Sequence, residues 1–404
     1  MSSAAPQSPA PGSLFNLPGI SRTIENKENN DGVTTTPLQA NQVNATGYVP
    51  FKQTDVIQSW ELQLKYAQTL AIGTGSITVS QYFPWSVLGP GNLNMQNQFS
   101  TLQWAHGYDL GLWQMIRPLR HGTNDRTNLY TTPAVQIYNQ QAALVTSLAA
   151  YTIASTTMNL RYELPAGQWF DAFYPLAGDG TILGPGLRAY VSPQYMAGTS
   201  RIVQPTIAFF PAFGSTSDLG PYTATGNATA TALLATQSWK RRGWYQPLGA
   251  ADSPPVFNWQ YTRRSSQVSL ASVNQKTIPI PINGQIMSVA YRFYDPTLNA
   301  GAGGPIPLSN IAEIDLNYGS GLFKYQDYPV DTQARLIQQH SFLPAEGVIV
   351  HDMAVDEFGR ITNKDVLNTM NTSGVQAFVQ STGTFSASAY VQVLVEALTY
   401  VEAG

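Results

Sequence analysis

Residues that could carry out chemistry are few in this chain and widely separated. The four histidines, His106, His121, His340 and His351, include no pair at the spacing with which a helix presents two ligands to one metal ion. The densest polar stretch is His351-Asp-Met-Ala-Val-Asp-Glu-Phe-Gly359, in which His351, Asp352, Asp356 and Glu357 could hold a divalent cation. Asp and Gly at such density also make an ordinary hairpin turn, and that is the preferred reading. Asp171, Asp179, Glu346 and Glu357 could supply the carboxylate pair of a glycosidase, but that reaction is set by distance in space, and surface carboxylates are the simpler account. Gly73-Thr-Gly-Ser-Ile-Thr78 is half a dinucleotide fingerprint running into strand-like residues, which predicts a turn. No Gly-x-Ser-x-Gly elbow, His-Glu-x-x-His pair or Walker loop occurs. The absence of cysteine removes thiolate metal sites and thiol nucleophiles together. The chain is expected to have no enzymatic activity, no cofactor and no catalytic or metal site.

The chemistry of contact is better represented. Five of the 21 basic residues are Lys240, Arg241, Arg242, Arg263 and Arg264, flanked by Trp239, Trp244, Tyr245, Trp259 and Tyr261. Such a patch could meet phosphates or anionic lipid head groups, and a contact with another subunit is preferred. Charged residues make up only 11% of the chain, less than half the roughly 25% usual in soluble domains. With a net charge of −3, wrapping or sequence-specific reading of nucleic acid is not expected. The 8 Trp, 21 Tyr and 16 Phe could stack on sugars, but aromatics at alternating positions are core, and the remainder suit protein interfaces, where aromatics are enriched and charges depleted.

The elements that would position these residues are mostly strands. Trp60, Leu62, Leu64 and Tyr66 alternate with Glu61, Gln63 and Lys65, the two-residue period of a half-buried strand. Met158–Leu164 and Met287–Phe293 repeat that pattern, the latter placing Ser288, Ala290 and Arg292 on its opposite face. From Val391 to Leu398 both alternating sets are largely apolar, which predicts burial on both faces. Shorter apolar or Thr/Val-rich runs at 76–82, 111–116, 132–138, 201–210, 229–239, 256–261, 278–282, 311–316, 347–351 and 375–380 are separated by Gly/Pro/Asp turns and read as further strands. Two short helices are expected, at 139–150 and at 331–340, the second capped by Asp331 with Ala334, Ile337 and Gln338 on one face. Residues 1–48, rich in Ser, Pro, Asn, Gln and Thr, read as a flexible arm, with neither the basic start nor the apolar run of a secretory signal. The basic triplet and Pro/Gly/Ala stretch at 240–255 suggest a boundary, giving domains at 49–248 and 249–404, each long enough for an antiparallel sandwich of about eight strands.

The order of features in the C-terminal part carries a resemblance. Val289-Ala-Tyr-Arg-Phe-Tyr-Asp295, a Gly-rich loop, Asp315-Leu-Asn-Tyr318, Asp327-Tyr-Pro-Val-Asp-Thr-Gln-Ala-Arg335, the helix to His340, Phe342-Leu-Pro-Ala-Glu-Gly-Val-Ile-Val350 and a final Val/Leu strand follow one another. This resembles the second jelly roll of the double jelly-roll major capsid proteins of tailless, internal-membrane double-stranded DNA bacteriophages, the tectivirus type.

The resemblance implies an all-β chain of two side-by-side eight-stranded antiparallel jelly rolls with few short helices. It implies a homotrimer of pseudo-hexagonal outline tiling an icosahedral virion shell assembled in the host cytoplasm. The implied partners are neighbouring capsomers, minor capsid or penton proteins and an internal viral membrane. Residues 1–48 would reach along the capsomer base, and 84–130, 165–200 and 211–228 would be long outer loops. Obligate interfaces above about 2,000 Å² would account for the low charge. The alternative is a β-sandwich glycan-binding or glycan-cleaving protein such as a viral spike, with a concave aromatic face. An outer-membrane barrel lacks the regular alternating segments of about ten residues that it would need.

Overall fold

The computed structural model describes residues 20–23, 28–29, 42–45, 49–50, 59–79, 83–95, 100–116, 135–138, 155–165, 202–209, 222–242, 244–247, 259–280, 284–298, 303–318, 322–340, 346–354, 366–369 and 374–400. In the N-terminal half the strands are β1 (Ile20–Thr23), β2 (Glu28–Asn29), β3 (Gln42–Ala45), β4 (Val49–Pro50), β5 (Ser59–Ala71), β6 (Ser76–Val79), β7 (Leu88–Met95) and β8 (Ser100–Trp104). After helix α1 (Gly107–Ile116) come β9 (Val135–Tyr138), β10 (Thr156–Pro165), β11 (Ile202–Phe209), β12 (Tyr222–Thr225), β13 (Thr229–Arg242) and β14 (Trp244–Pro247). The C-terminal half holds β15 (Trp259–Ser269), β16 (Gln275–Ile280), β17 (Gln285–Asp295), β18 (Gly304–Pro305), β19 (Ile311–Tyr318) and β20 (Leu322–Asp327). Helix α2 (Pro329–His340) and strands β21 (Val348–Asp352), β22 (Leu367–Asn368), β23 (Val375–Ser381) and β24 (Tyr390–Tyr400) complete it.

In the C-terminal half a sandwich forms. Strands β16-β23-β19-β20 make one sheet, and β18-β17-β24-β15, with β21 and β22 on β17, belong to the other. Ile278, Ile280, Ile314, Leu316, Val375, Ala377 and Val379 from the first share one buried cluster with Val289, Tyr291, Phe293, Val391, Val393 and Val395 from the second. Each fully buried side chain of this kind stabilises the fold by about 1.5–3 kcal/mol, so the alternating positions define the sandwich. Strand β24 is buried on both faces from Tyr390 to Ala397, as its sequence predicts.

The N-terminal half pairs β2-β13-β5-β10-β9 in one sheet and β8-β7-β11-β3 in the other, with β4 also on β11. Leu62 and Leu64 are buried while Lys65 is exposed, which confirms the period read on β5. Trp85 packs on Tyr162 of β10 at 5.4 Å between ring centroids, and the Tyr162 hydroxyl donates to the Pro84 carbonyl at 2.7 Å. The half-fingerprint at Gly73 is a turn, with Gly75 N–H donating to Ile72 O at 3.0 Å and Gly73 at φ +54°.

The sheet of β15 does not stop at the boundary between halves. Strand β15 pairs in parallel with β8, Arg263 opposite Leu102 and Arg264 opposite Gln103, so one 11-stranded sheet runs through both. The remaining pairings are antiparallel wherever strands are described.

Three sequence expectations need correction. Residues 111–116 are helical, not a strand: α1 is buried from Gly107 to Trp113, and an apolar run that is buried all round looks the same in either conformation. Residues 84–116, expected in an outer loop, include β7, β8 and α1 and bury Trp85, Trp104 and Trp113. In α2, Asp331 lies inside the first turn and does not cap the helix, and Ala334, Ile337 and Gln338 form the exposed face. The buried face is Pro329, Thr332, Leu336 and Gln339, because polar side chains tie it down: Gln333 Nε2 donates to Val348 O at 2.9 Å and Gln339 Nε2 to Asp352 O at 3.1 Å. The helix expected at 139–150 lies outside the described residues, as do the segments 165–200 and 1–19 apart from Pro165. Within residues 20–50, β1 pairs with β14, β2 with β13, and β3 and β4 with β11.

Candidate functional site

His351 and Asp352 are both buried on β21, and Asp352 Oδ1 accepts the Ala354 N–H at 3.0 Å, the hydrogen bond of a tight turn. Among the described residues no group of three or more His, Asp or Glu side chains could hold a metal ion. Of the carboxylates considered for glycoside hydrolysis, Glu346 is exposed, and Asp171, Asp179 and Glu357 lie outside the described residues, as does Asp356.

The five basic residues fall on two sheets. Lys240, Arg241 and Arg242 end β13, in register with Glu61, Trp60 and Ser59 of β5. Arg263 and Arg264 sit on β15, where Arg263 is 4% exposed and its Nη2 lies 3.5 Å from Glu396 Oε1.

Arg263 belongs to a polar seam that the sequence pattern alone does not reveal. The face of β17 opposite its core side chains carries Ser288 and Arg292, and both are buried. Ser288 Oγ donates to Glu396 Oε2 at 2.8 Å, on the other side of that carboxylate from Arg263. The guanidinium of Arg292 donates to Gln392 Oε1 at 2.6 Å and lies 5.4, 5.3 and 5.9 Å from the ring centres of Tyr108, Tyr294 and Tyr390. Tyr108 comes from α1 and the two others from the C-terminal half, so one cation is held by rings of both halves.

Asp109 supplies the corresponding anion from α1. Its Oδ2 accepts the N–H groups of Ala105 at 3.2 Å and His106 at 3.0 Å, which satisfies the open end of the helix as a capping-box carboxylate does. The same oxygen accepts Ser265 Oγ at 2.5 Å from β15 and Gln392 Nε2 at 3.4 Å from β24. Burial pushes this carboxyl up to about 6, against the opposing pull of the Ser265 hydrogen bond, the Arg292 charge and the two N–H donors. Within the N-terminal half α1 is seated without room to spare: a Cβ on Gly107 would lie 2.0 Å from Trp85 O and 2.3 Å from Leu88 O.

A second cluster fixes α2. Arg335 donates both Nη groups to the two oxygens of Asp327 at 2.8 Å each, and His351 Nε2 lies 3.4 Å from Asp327 Oδ2. Tyr325 stacks on His351 at 4.9 Å and under Arg335 at 4.6 Å. Burial works to raise Asp327, but the His351 contact and the Arg335 fork outweigh it and hold the carboxyl far below its usual range. Its contribution is therefore present above about pH 4, the unfolded value, and is lost as pH falls below that. Asp327→Asn is expected to remove that acid sensitivity and weaken α2 docking by about 1.5–3 kcal/mol, checked by thermal unfolding at pH 3 and pH 7.

Held in this way, α2 turns an apolar ridge outward. Tyr328, Val330 and Ile337 are 63%, 78% and 46% exposed, three of the four exposed large hydrophobic residues among those described. Val330, Ala334 and Ile337 recur at helical spacing, so they line one stripe.

No family model matches the chain, and no curated protein matches it in sequence. Solved structures do match along almost the whole length. The atomic structure of Sulfolobus turreted icosahedral virus aligns at TM-score 0.55 and 13% identity, covering 94% of this chain and 91% of that chain. The crystal structure of the major capsid protein of the same virus aligns at TM-score 0.52 and 13% identity, covering 94% and 97%. VP54 of PBCV-1, fitted into a reconstruction of the virophage Sputnik, aligns at TM-score 0.52 and 11% identity, covering 94% of each chain. The likeness spans both halves and the seam between them, and it identifies the fold as the double jelly roll of these capsid proteins.

Proposed function

We propose that this chain is the major capsid protein of an icosahedral virus, a structural subunit and not an enzyme, located in the virion shell. The observation that carries this reading is the end-to-end similarity to the Sulfolobus turreted icosahedral virus capsid protein, which no single sandwich domain would produce. The domain division at 1–48, 49–248 and 249–404 belongs to the same proposal. So does the homotrimeric, pseudo-hexagonal capsomer of the tectivirus type, supported by the order of features from Val289 to the final strand. Its partners are neighbouring capsomers, minor capsid or penton proteins and an internal viral membrane. The exposed ridge of α2 and the basic positions Lys240, Arg241, Arg242 and Arg264 are its candidate contact surfaces, whereas Arg263 is engaged with Glu396 inside the chain.

Light scattering tests this directly. The purified chain is expected to run as a salt-resistant trimer of three times 43.9 kDa. Deletion of residues 1–19, which spares the paired strands β1, β2 and β3, is expected to leave that trimer intact and abolish higher assembly. Val330→Asp combined with Ile337→Asp is expected to weaken association between copies at least tenfold without lowering the melting temperature, since both side chains are exposed in the single chain. A stable monomer would overturn the capsid reading and favour the glycan-binding alternative.

A further inference from the structure

We propose that Asp109 is a proton-operated lock on the seam between the two jelly rolls, holding it tighter when the carboxyl carries a proton. The geometry is lopsided. All four hydrogen bonds given to this carboxyl, from Ala105, His106, Ser265 and Gln392, converge on Oδ2. Oδ1 is equally buried and has no hydrogen-bond partner among the described residues. A bare, desolvated carboxylate charge is costly, and a proton placed on Oδ1 exchanges it for the smaller cost of a neutral hydroxyl without disturbing the donors on the other oxygen.

The charged neighbours allow it. On α1 and the turn before it the titratable groups are His106, whose Nδ1 accepts the Tyr108 N–H at 3.0 Å, and Tyr108 itself. From β15 come Arg263 and Arg264, from β17 Arg292 and Tyr294, and from β24 Tyr390 and Glu396. Arg263 is balanced by Glu396, and Arg292 is held by Gln392 and three ring faces. Neutralising Asp109 therefore strips neither cation of its acceptor.

The direction follows from burial. The carboxyl goes from 3.8 in the unfolded chain to about 6 in the seam, so its contribution is fully present below about 3.8 and is lost as pH rises through about 6. Because α1 belongs to one jelly roll and β15 and β24 to the other, the attachment of the two is what loosens towards neutral pH. This goes beyond the assembly reading and does not depend on it.

The test is urea unfolding of the purified chain at one fixed concentration from pH 4 to 8, followed by fluorescence of tryptophans such as Trp104, at the end of β8, and Trp113, on α1, both buried. The difference between the wild-type and Asp109→Asn profiles is expected to change roughly hundredfold across that window, the wild type losing its advantage as pH rises. Asp109→Asn is expected to lose this component. Ser265→Ala removes a hydrogen bond that favours the ionised form and is expected to move the step to higher pH. Parallel profiles for wild type and Asp109→Asn would overturn the lock, and so would a step that Ser265→Ala leaves in place. If the Asp109 variant does not fold, the Ser265 variant decides alone.

Discussion

Gly107→Ala is expected to disrupt the N-terminal half. Two effects oppose each other. Alanine inside a helix is favoured over glycine by about 1 kcal/mol, which would stabilise α1. The added Cβ would, however, meet two backbone carbonyls, Trp85 O at 2.0 Å and Leu88 O at 2.3 Å, where no side-chain rotation gives relief. Overpacking commonly costs about 1–3 kcal/mol even where side chains can move, so a backbone clash of this depth exceeds the gain in propensity. The expected net loss is at least about 2–3 kcal/mol, read as a lowered melting temperature in near-ultraviolet circular dichroism. Gly383→Ala is the control, since nothing lies within 4 Å of its new methyl group. A Gly107 variant melting with wild type would mean that α1 packs differently.

The second large effect is expected at Glu396. This side chain is fully buried between Arg263, at 3.5 Å, and Ser288, at 2.8 Å. Truncating it to alanine removes the carboxylate facing a guanidinium that is itself only 4% exposed, a change that costs about 3–5 kcal/mol in buried pairs. Replacing both partners, Arg263→Met with Glu396→Leu, is expected to recover most of that loss, because apolar groups of similar volume need no counter-charge. A double-mutant cycle measures the difference. Additive losses would show that the two side chains do not act as a pair.

Strand positions were legible because burial on one face imprints a period of two, as on β5 and β10. The period carries no information about what lies behind the other face. Ser288 and Arg292 on β17 look like solvent positions, yet they face the seam, where polar side chains are buried because each finds a partner across it. The helix α1 was misread for a related reason: with no exposed face it has no helical period to read. On α2 the residues Ala334, Ile337 and Gln338 share one face, as their spacing predicts, but spacing alone does not say which way that face turns. Gln333, Gln339 and Thr332 hold the inner face, and the stripe of Val330, Ala334 and Ile337 points outward. An outward apolar stripe offers a surface for the subunit contact proposed above. The seam itself had one signal in the sequence, Asp109 in the first turn of an otherwise apolar run, which marks a helix start.

The parallel pairing of β15 with β8 has a mechanical meaning. Two sandwiches joined by a linker can swivel, but two that share a continuous hydrogen-bonded ribbon transmit torque from one to the other as a single plate. Bending such a plate would require shearing the ladder at Arg263–Leu102 and Arg264–Gln103. In the shell proposed above, plates of this kind would leave curvature to the gaps between them, and the elastic compliance of the container would be set by the joints instead of by the bricks.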